Sequence, residues 1–511
     1  MVPLAGFLAS EVLPELESFP NNHPVVQADV LKFVTVFRAH VPASVYNALL
    51  AVFAKMLQSD VYVVHTYAAH ALDRYLAMRH DGQPRIGDEW RSVLGPALTG
   101  CFALLQKPES SCNEYVIRAV WRMLQRAKEA VVPLAKDVLD ALSRVLLSVA
   151  KNPVNPNFNR YLFESLGSLI RNVGAANPAA VAQCEELLFP VFQHILTEDV
   201  AEFTPFVFQL MGLLLQLRPD GISVAYKAIF PNLLTGALWS RSGNVPGLVK
   251  LLQAYVAKSN GDLGDQLEPL LGVFKMLNSR RAYDQDGFYL IESLVEHLPL
   301  ERLDPFMEVA LRLMLERLTA SRTQKYVRCF LIFCALFMGK HNPEYLVSKF
   351  DSINAGLFGK VIENFWLPSV TQVVGKIERK ICAVGTIRLV CESPSYLSKY
   401  GASWPQLLQR VLQLLELQAS DEEHADAATD EVEIDTDATG YSVAYAQLAT
   451  ACTDQPDPFV AIAEPKAFLC QNLQTLTQAH PGVFLQQIET LPTESKQVLQ
   501  SYLQATGANL Q

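Results

Sequence analysis

The sequence predicts an all-α fold, an α-solenoid of about ten antiparallel helical hairpins wound into a right-handed superhelix. Three observations carry that expectation. Amphipathic segments recur at intervals of about forty residues, each with helical spacing. A second apolar stretch lies between each pair. Period-two alternation of useful length is absent, so strands are not expected.

The elements follow in order. MVPLAGFLASEVLPELESF opens the chain as an amphipathic helix; it carries Glu11, Glu15 and Glu17 and no basic n-region, unlike a signal peptide. First helices of the hairpins begin near Pro24, Val61, Asn113, Pro156, Phe203, Asn244, Tyr283, Gln324 and Ile377. Their partners occupy 42–58, 87–106, 133–151, 178–196, 222–236, 262–278, 301–319 and 343–367. Val64, Tyr67, Ala68, Ala71, Leu72, Tyr75 and Leu76 make one apolar stripe; Ile117, Val120, Trp121 and Leu124 make another. Val245, Leu248, Val249, Leu252, Tyr255 and Val256 make a third. The expected core includes Tyr67, Leu72, Trp121, Phe163, Leu252 and Phe330.

Punctuation agrees with the stripes. Pro42, Pro133, Pro156, Pro178, Pro246 and Pro343 stand at or near helix starts, where a missing N–H is harmless. Asn155, Asn177 and Asn342 each precede a proline as capping residues. Gly174, Gly221, Gly243 and Gly261 fall in expected connections. Two helices per forty-odd residues is the HEAT and armadillo period. One hairpin cannot bury its face alone, whereas stacked neighbours share a continuous core.

Composition bounds the function. The 511 residues exceed what one hydrophobic core supports. Hydrophobic residues are 50% and charged residues 18%, which excludes wholesale disorder. No apolar run reaches the roughly 18 residues of a membrane span. Nine cysteines lie scattered without a CxxC pair, as expected of reduced thiols in cytosol or nucleus. A net charge of −10 argues against nucleic acid and for a basic protein partner.

One stretch breaks the pattern. Val411–Pro465 contains no lysine or arginine, and nine acids fall between Asp421 and Asp437. Few large apolar residues accompany them, so an acidic loop insertion is expected at 419–440, between a solenoid over 1–418 and C-terminal repeats with a cap over 441–511. Both a solvated loop and an arm for a basic partner fit.

Candidate chemistry is sparse. His65 and His70 lack metalloprotease spacing and fall on different sides of their helix. Neither GxxxxGK[ST] nor GxGxxG occurs, and Asp284 and Asp286 stand at a helix start, where the dipole favours anions. The acids from Asp421 to Asp430 have no second motif and no nearby base, unlike the magnesium aspartates of prenyl-diphosphate enzymes. No enzyme activity, cofactor or metal is expected.

Longer motifs point to a family. YVVHTYAAHALDRYLAMR (62–79), NEYVIRA (113–119), KNPVNPNFNRYLFES (151–165), ANPAAV (176–181), LWSRSGNVPGLVKLLQAY (238–255), DGFYLIESLVEHLP (286–299), KIERKICAVGTIRL (376–389) and GYSVAYAQLA (440–449) resemble the CAS exportins. These are importin-α re-exporters of the importin-β superfamily, about twice this length, and the resemblance is to their C-terminal half. It implies a monomeric shuttling receptor that holds importin-α cooperatively with Ran-GTP and meets nucleoporins. The repeats that grip the Ran switch regions in the family have no counterpart here. A HEAT scaffold unrelated to transport is the alternative.

Expected contacts are of two kinds. Asn157, Asn159 and Arg160, then Trp239, Arg241 and Asn244, lie in connections with no evident core duty, although turn formation and capping, notably by Asn155 and Asn244, also fit. The resemblance puts these connections where a second Ran contact is expected. Asp421, Glu422, Glu423, Glu431, Glu433 and Asp435 form the acidic candidate.

Overall fold

The computed structural model describes residues 4–425, 447–451 and 456–510. Among them, two compact units follow packing and not the composition boundaries at 418 and 440: 4–223 with 239–254 and 447–451, and 224–238 with 255–425 and 456–510.

In the first unit, helices α1 (Tyr62–Leu76), α2 (Glu114–Ala127), α3 (Pro156–Ala176) and α4 (Thr204–Leu217) pack each on the next. A second row, Tyr46–Met56, Leu94–Leu105, Ala135–Val149 and Val181–Thr197, stacks alongside. Helix α5 (Asn244–Lys258) begins in this unit. The second unit repeats the plan. Helices α6 (Asp284–His297), α7 (Gln324–Lys340), α8 (Lys376–Glu392) and α9 (Trp404–Ala425) form one row. Leu267–Asn278, Leu300–Ala320 and Pro343–Ile353 form the other. The result is an all-α solenoid.

Local signals explain the ends. The Oδ1 of Asn113 accepts from the N–H groups of Tyr115 and Val116, and that of Asn155 from Phe158 at 3.1 Å. Asn342 does the same for Glu344, with Pro343 as the first helical residue. Asn177 makes no such cap; a short 3₁₀ turn, Pro178–Ala180, follows it. Gly174 lies inside α3 and not in a connection. A Cβ there would come within 2.9 Å of Leu217, so the glycine admits close packing against α4. The expectation of no strands fails once, at a two-residue antiparallel pair, Arg79–His80 with Gln83–Pro84. Asp81 and Gly82, with φ of 50° and 72°, supply its tight turn.

The core is continuous in each unit. Leu72, Trp121, Phe163, Leu252 and Phe330 are buried as expected. Phe163 rests against Phe203 and Phe206, and Trp121 against Tyr161. Tyr67 is the exception: it sits at the edge of its stripe, half-buried.

Candidate partner-binding surface

A charge on a buried helix face is the anomaly of the first unit. In α3 the stripe of NRYLFESLGSL is interrupted by Glu164, fully buried, with Gly167 one turn later on the same face. A carboxylate taken out of water costs several kcal/mol unless donors surround it. Residues 447–451, nearly three hundred positions away, supply them. Glu164 Oε1 accepts the N–H of Ala449 at 2.6 Å, and Oε2 accepts the N–H and hydroxyl of Thr450 at 2.9 and 2.6 Å. Gln209 on α4 accepts the Leu448 N–H at 2.9 Å. Lys250 on α5 and Arg160 on α3 donate to the carbonyls of Ala451 and Gln447 at 3.3 Å. Leu448 is fully buried. A Cβ on Gly167 would lie 2.3 Å from the Thr450 hydroxyl, so only glycine leaves room for this strap.

The second unit holds the next described stretch by the same device. Lys380 on α8, 7% exposed, donates to Asp457 and to the carbonyl of Phe459. The Phe459 ring lies over Gly339, where a Cβ would meet it at 2.3 Å, and the Lys340 ammonium stands 5.5 Å from its centre.

The expected contact residues divide. Asn159, Trp239 and Asn244 are 1–2% exposed, which corrects their placement on free connections: each fills the packed interior of the repeats. Asn157 and Arg160 are half-buried. Arg241 forms a two-pronged pair with Asp199, both bonds 2.6 Å, and the bond holds the Asp199 carboxyl below its usual range. Asp421, Glu422 and Glu423 lie in the last turns of α9, which runs on to Ala425 instead of ending before the acids. Glu431, Glu433 and Asp435 lie outside the described residues.

The remaining candidates have structural partners. His65 bridges the Ser59 carbonyl and the Ser110 hydroxyl, while His70 packs edge-on against Tyr115. Burial lowers both imidazole pKa values. Asp284 is ion-paired with Arg317. Burial pushes Asp286 up to about 6.

Sequence reasoning singled out GYSVAYAQLA as a motif without seeing that its end is a docked strap. The available signal was the combination of Glu164 with Gly167 in one helix, and of Lys380 with Gly339 near the end of its neighbour.

Comparison with known proteins covers the whole chain. The family model described as CAS/CSE protein, C-terminus, matches residues 73–502, and that described as Cse1 matches 1–72. Exportin-2 of Danio rerio is 40% identical over 520 residues, all of this chain and 53% of that protein. Exportin-2 of Homo sapiens is 38% identical over 524 residues, with the same coverage. The chain thus spans about half the length of these relatives and corresponds to their C-terminal half. Among solved structures, the exportin Cse1 in its cargo-free, cytoplasmic state superposes with a TM-score of 0.83 at 24% identity, over 98% of this chain and 51% of that one. Importin beta in an ammonium sulfate condition gives 0.58 at 10% identity, over 99% and 58%; both likenesses concern the fold.

Proposed function

The chain belongs to the CAS/CSE family, and from that premise we propose that it carries the cargo-holding part of a nuclear export receptor. The cargo is importin-α, bound cooperatively with Ran-GTP in the nucleus and released in the cytoplasm after GTP hydrolysis on Ran. The observation that carries this reading is the end-to-end match to Exportin-2 sequences at about 40% identity. The receptor is a binding protein, and the GTPase chemistry belongs to Ran. It shuttles through the pore and meets nucleoporins on the way.

The physics of a solenoid suits that cycle. Each repeat touches only its neighbours, so small rotations add up along the stack. A ligand that prefers one curvature shifts the population toward it, and a second ligand with the same preference then binds more tightly. Arg160, Arg241 and Asn157 are the proposed contacts of the middle repeats. Asp421, Glu422, Glu423, Glu431, Glu433 and Asp435 are the proposed acidic arm for a basic surface. Exposed pairs are worth about 0–1 kcal/mol each, so the arm's chief effect is on the rate of encounter.

Capture of importin-α on the immobilised chain, with Ran-GTP, Ran-GDP or neither, tests the reading. Capture enhanced by Ran-GTP supports it. If importin-α is retained neither by this chain nor by a receptor that includes it, the reading fails.

A further inference from the structure

In the second unit a cavity of about 150 Å³ opens between α6, α7 and α8. Its lining includes Phe288, Tyr289 and Cys329, the acids Glu292 and Glu378, and the bases Lys325 and Arg328. Glu292 is 8% exposed, and among the described residues nothing forms a hydrogen bond or ion pair with it. Other buried charges have partners: Glu164 in residues 449–450, Lys380 in Asp457 and Phe459, Asp73 in Arg118 and Arg122, and Asp284 in Arg317; Glu292 lines the cavity instead. Gly375, with φ of 102°, lets the Glu378 carboxylate fold back over the backbone, where a Cβ would meet it at 2.0 Å.

We propose that this cavity receives one cationic side chain, lysine or arginine, from a partner polypeptide, with Glu292 and Glu378 as its counter-charges. The assignment goes beyond the export reading and does not depend on it. A lone carboxylate buried against a second one is unfavourable until a cation enters. Aromatic residues in the lining, Phe288 and Tyr289, favour an alkylammonium or guanidinium head over a bare ion. Among the described residues no three His, Cys, Asp or Glu side chains converge to hold a metal. The space, worth about five waters, suits an elongated side chain.

The groups around Glu292 are Tyr289 and Glu296 of its own helix, Lys325, Arg328 and Cys329 of α7, and Glu378 and Cys382 of α8. Across the other face of α6, Arg317 is committed to Asp284. Burial, then Glu378 and Glu296, hold the Glu292 carboxyl well above its usual range. A cation in the cavity favours the ionised carboxyl, so its binding weakens as pH falls.

Cys329 is a built-in reporter, and exposed Cys112 is its benchmark. The full chain is treated with aminoethyl and with sulfonatoethyl methanethiosulfonate, and the ratio of the two rates is read at each thiol by mass spectrometry. Preference for the cationic reagent should be greater at Cys329 than at Cys112. It should fall by roughly fivefold in Glu292→Gln and in Glu378→Gln, about what one partly solvated charge contributes. Acetyl-Gly-Arg-Gly-amide should protect Cys329, and its citrulline analogue should not. Equal ratios at the two thiols, or preference for the sulfonate, would mean that Lys325 and Arg328 set the sign and would overturn the proposal. So would equal protection by the arginine and citrulline peptides. The Gln variants keep the volume of the acid, and circular dichroism checks that they are folded.

Discussion

Replacing Glu164 by alanine should release the strap without unfolding the repeats beneath it. The carboxylate accepts the N–H groups of Ala449 and Thr450 and the Thr450 hydroxyl, all within 2.6–2.9 Å. A hydrogen bond to a charged acceptor is worth about 1.5–3 kcal/mol net. Each amide loses one such bond, so its local opening becomes easier by roughly ten- to a hundredfold. The strap is a short segment whose freed N–H groups can reach water, so the structure responds by undocking it locally. Native-state hydrogen exchange reads this directly. The amides of Leu448, Ala449 and Thr450 should exchange roughly ten to a hundred times faster in Glu164→Ala, and those of α2 should not change. Glu164→Gln keeps one carbonyl acceptor and should fall between. Gly167→Ala, which drives a methyl to 2.3 Å from the Thr450 hydroxyl, should reproduce the effect by crowding alone. If these amides exchange freely in the unaltered chain, or equally slowly in all variants, the strap is not held by Glu164.

Further outcomes follow from the same structure. Trp121→Ala should cost roughly 3–5 kcal/mol by urea denaturation, since the indole is 2% exposed against Tyr161; a loss under about 1 kcal/mol would place that face outside the core. Glu292→Gln should affect stability in a pH-dependent way. The folded carboxyl pKa is raised by burial, then by Glu378 and Glu296, so the native protein is fully favoured below the ordinary glutamate range and loses that advantage as pH rises through the folded value. The Gln variant should therefore gain on the unaltered chain at pH 8 and not at pH 4; equal urea midpoints at both would refute it. Arg160→Ala with Arg241→Ala should weaken the Ran-dependent complex, and an unchanged complex would remove both from the contact list. Neutralising Asp421, Glu422, Glu423, Glu431, Glu433 and Asp435 should slow association with importin-α and flatten its salt dependence. Wild-type rates across a salt series would rule out the steering role.

The solenoid was legible because its signals are local and repeated. Helix starts read at Pro24, Val61, Asn113, Pro156, Phe203, Asn244, Tyr283, Gln324 and Ile377 lie within a residue of those observed. Stripe, cap and proline all act within one turn, and each is written again every forty residues. The misses have a common cause in long-range packing. Gly174 resembles a connection until the neighbouring helix is seen pressing Leu217 against it. Trp239, Asn159 and Asn244 stand among polar residues, yet the adjacent repeats bury them. The strap joins residues almost three hundred positions apart, and no periodicity encodes that. Its trace in the sequence was chemical: a glutamate and a glycine on the buried face of α3, each without reason in a simple hairpin.

We propose that this chain holds importin-α in a state that Ran-GTP favours. Isothermal titration of importin-α into the chain, within a receptor that includes it, tests this with Ran-GTP and again with Ran-GDP. Ran-GTP should tighten binding by about 5- to 150-fold, the range typical of coupled sites, and importin-α bound first should tighten Ran-GTP binding by the same factor. Equal affinity for importin-α with either form of Ran would contradict it.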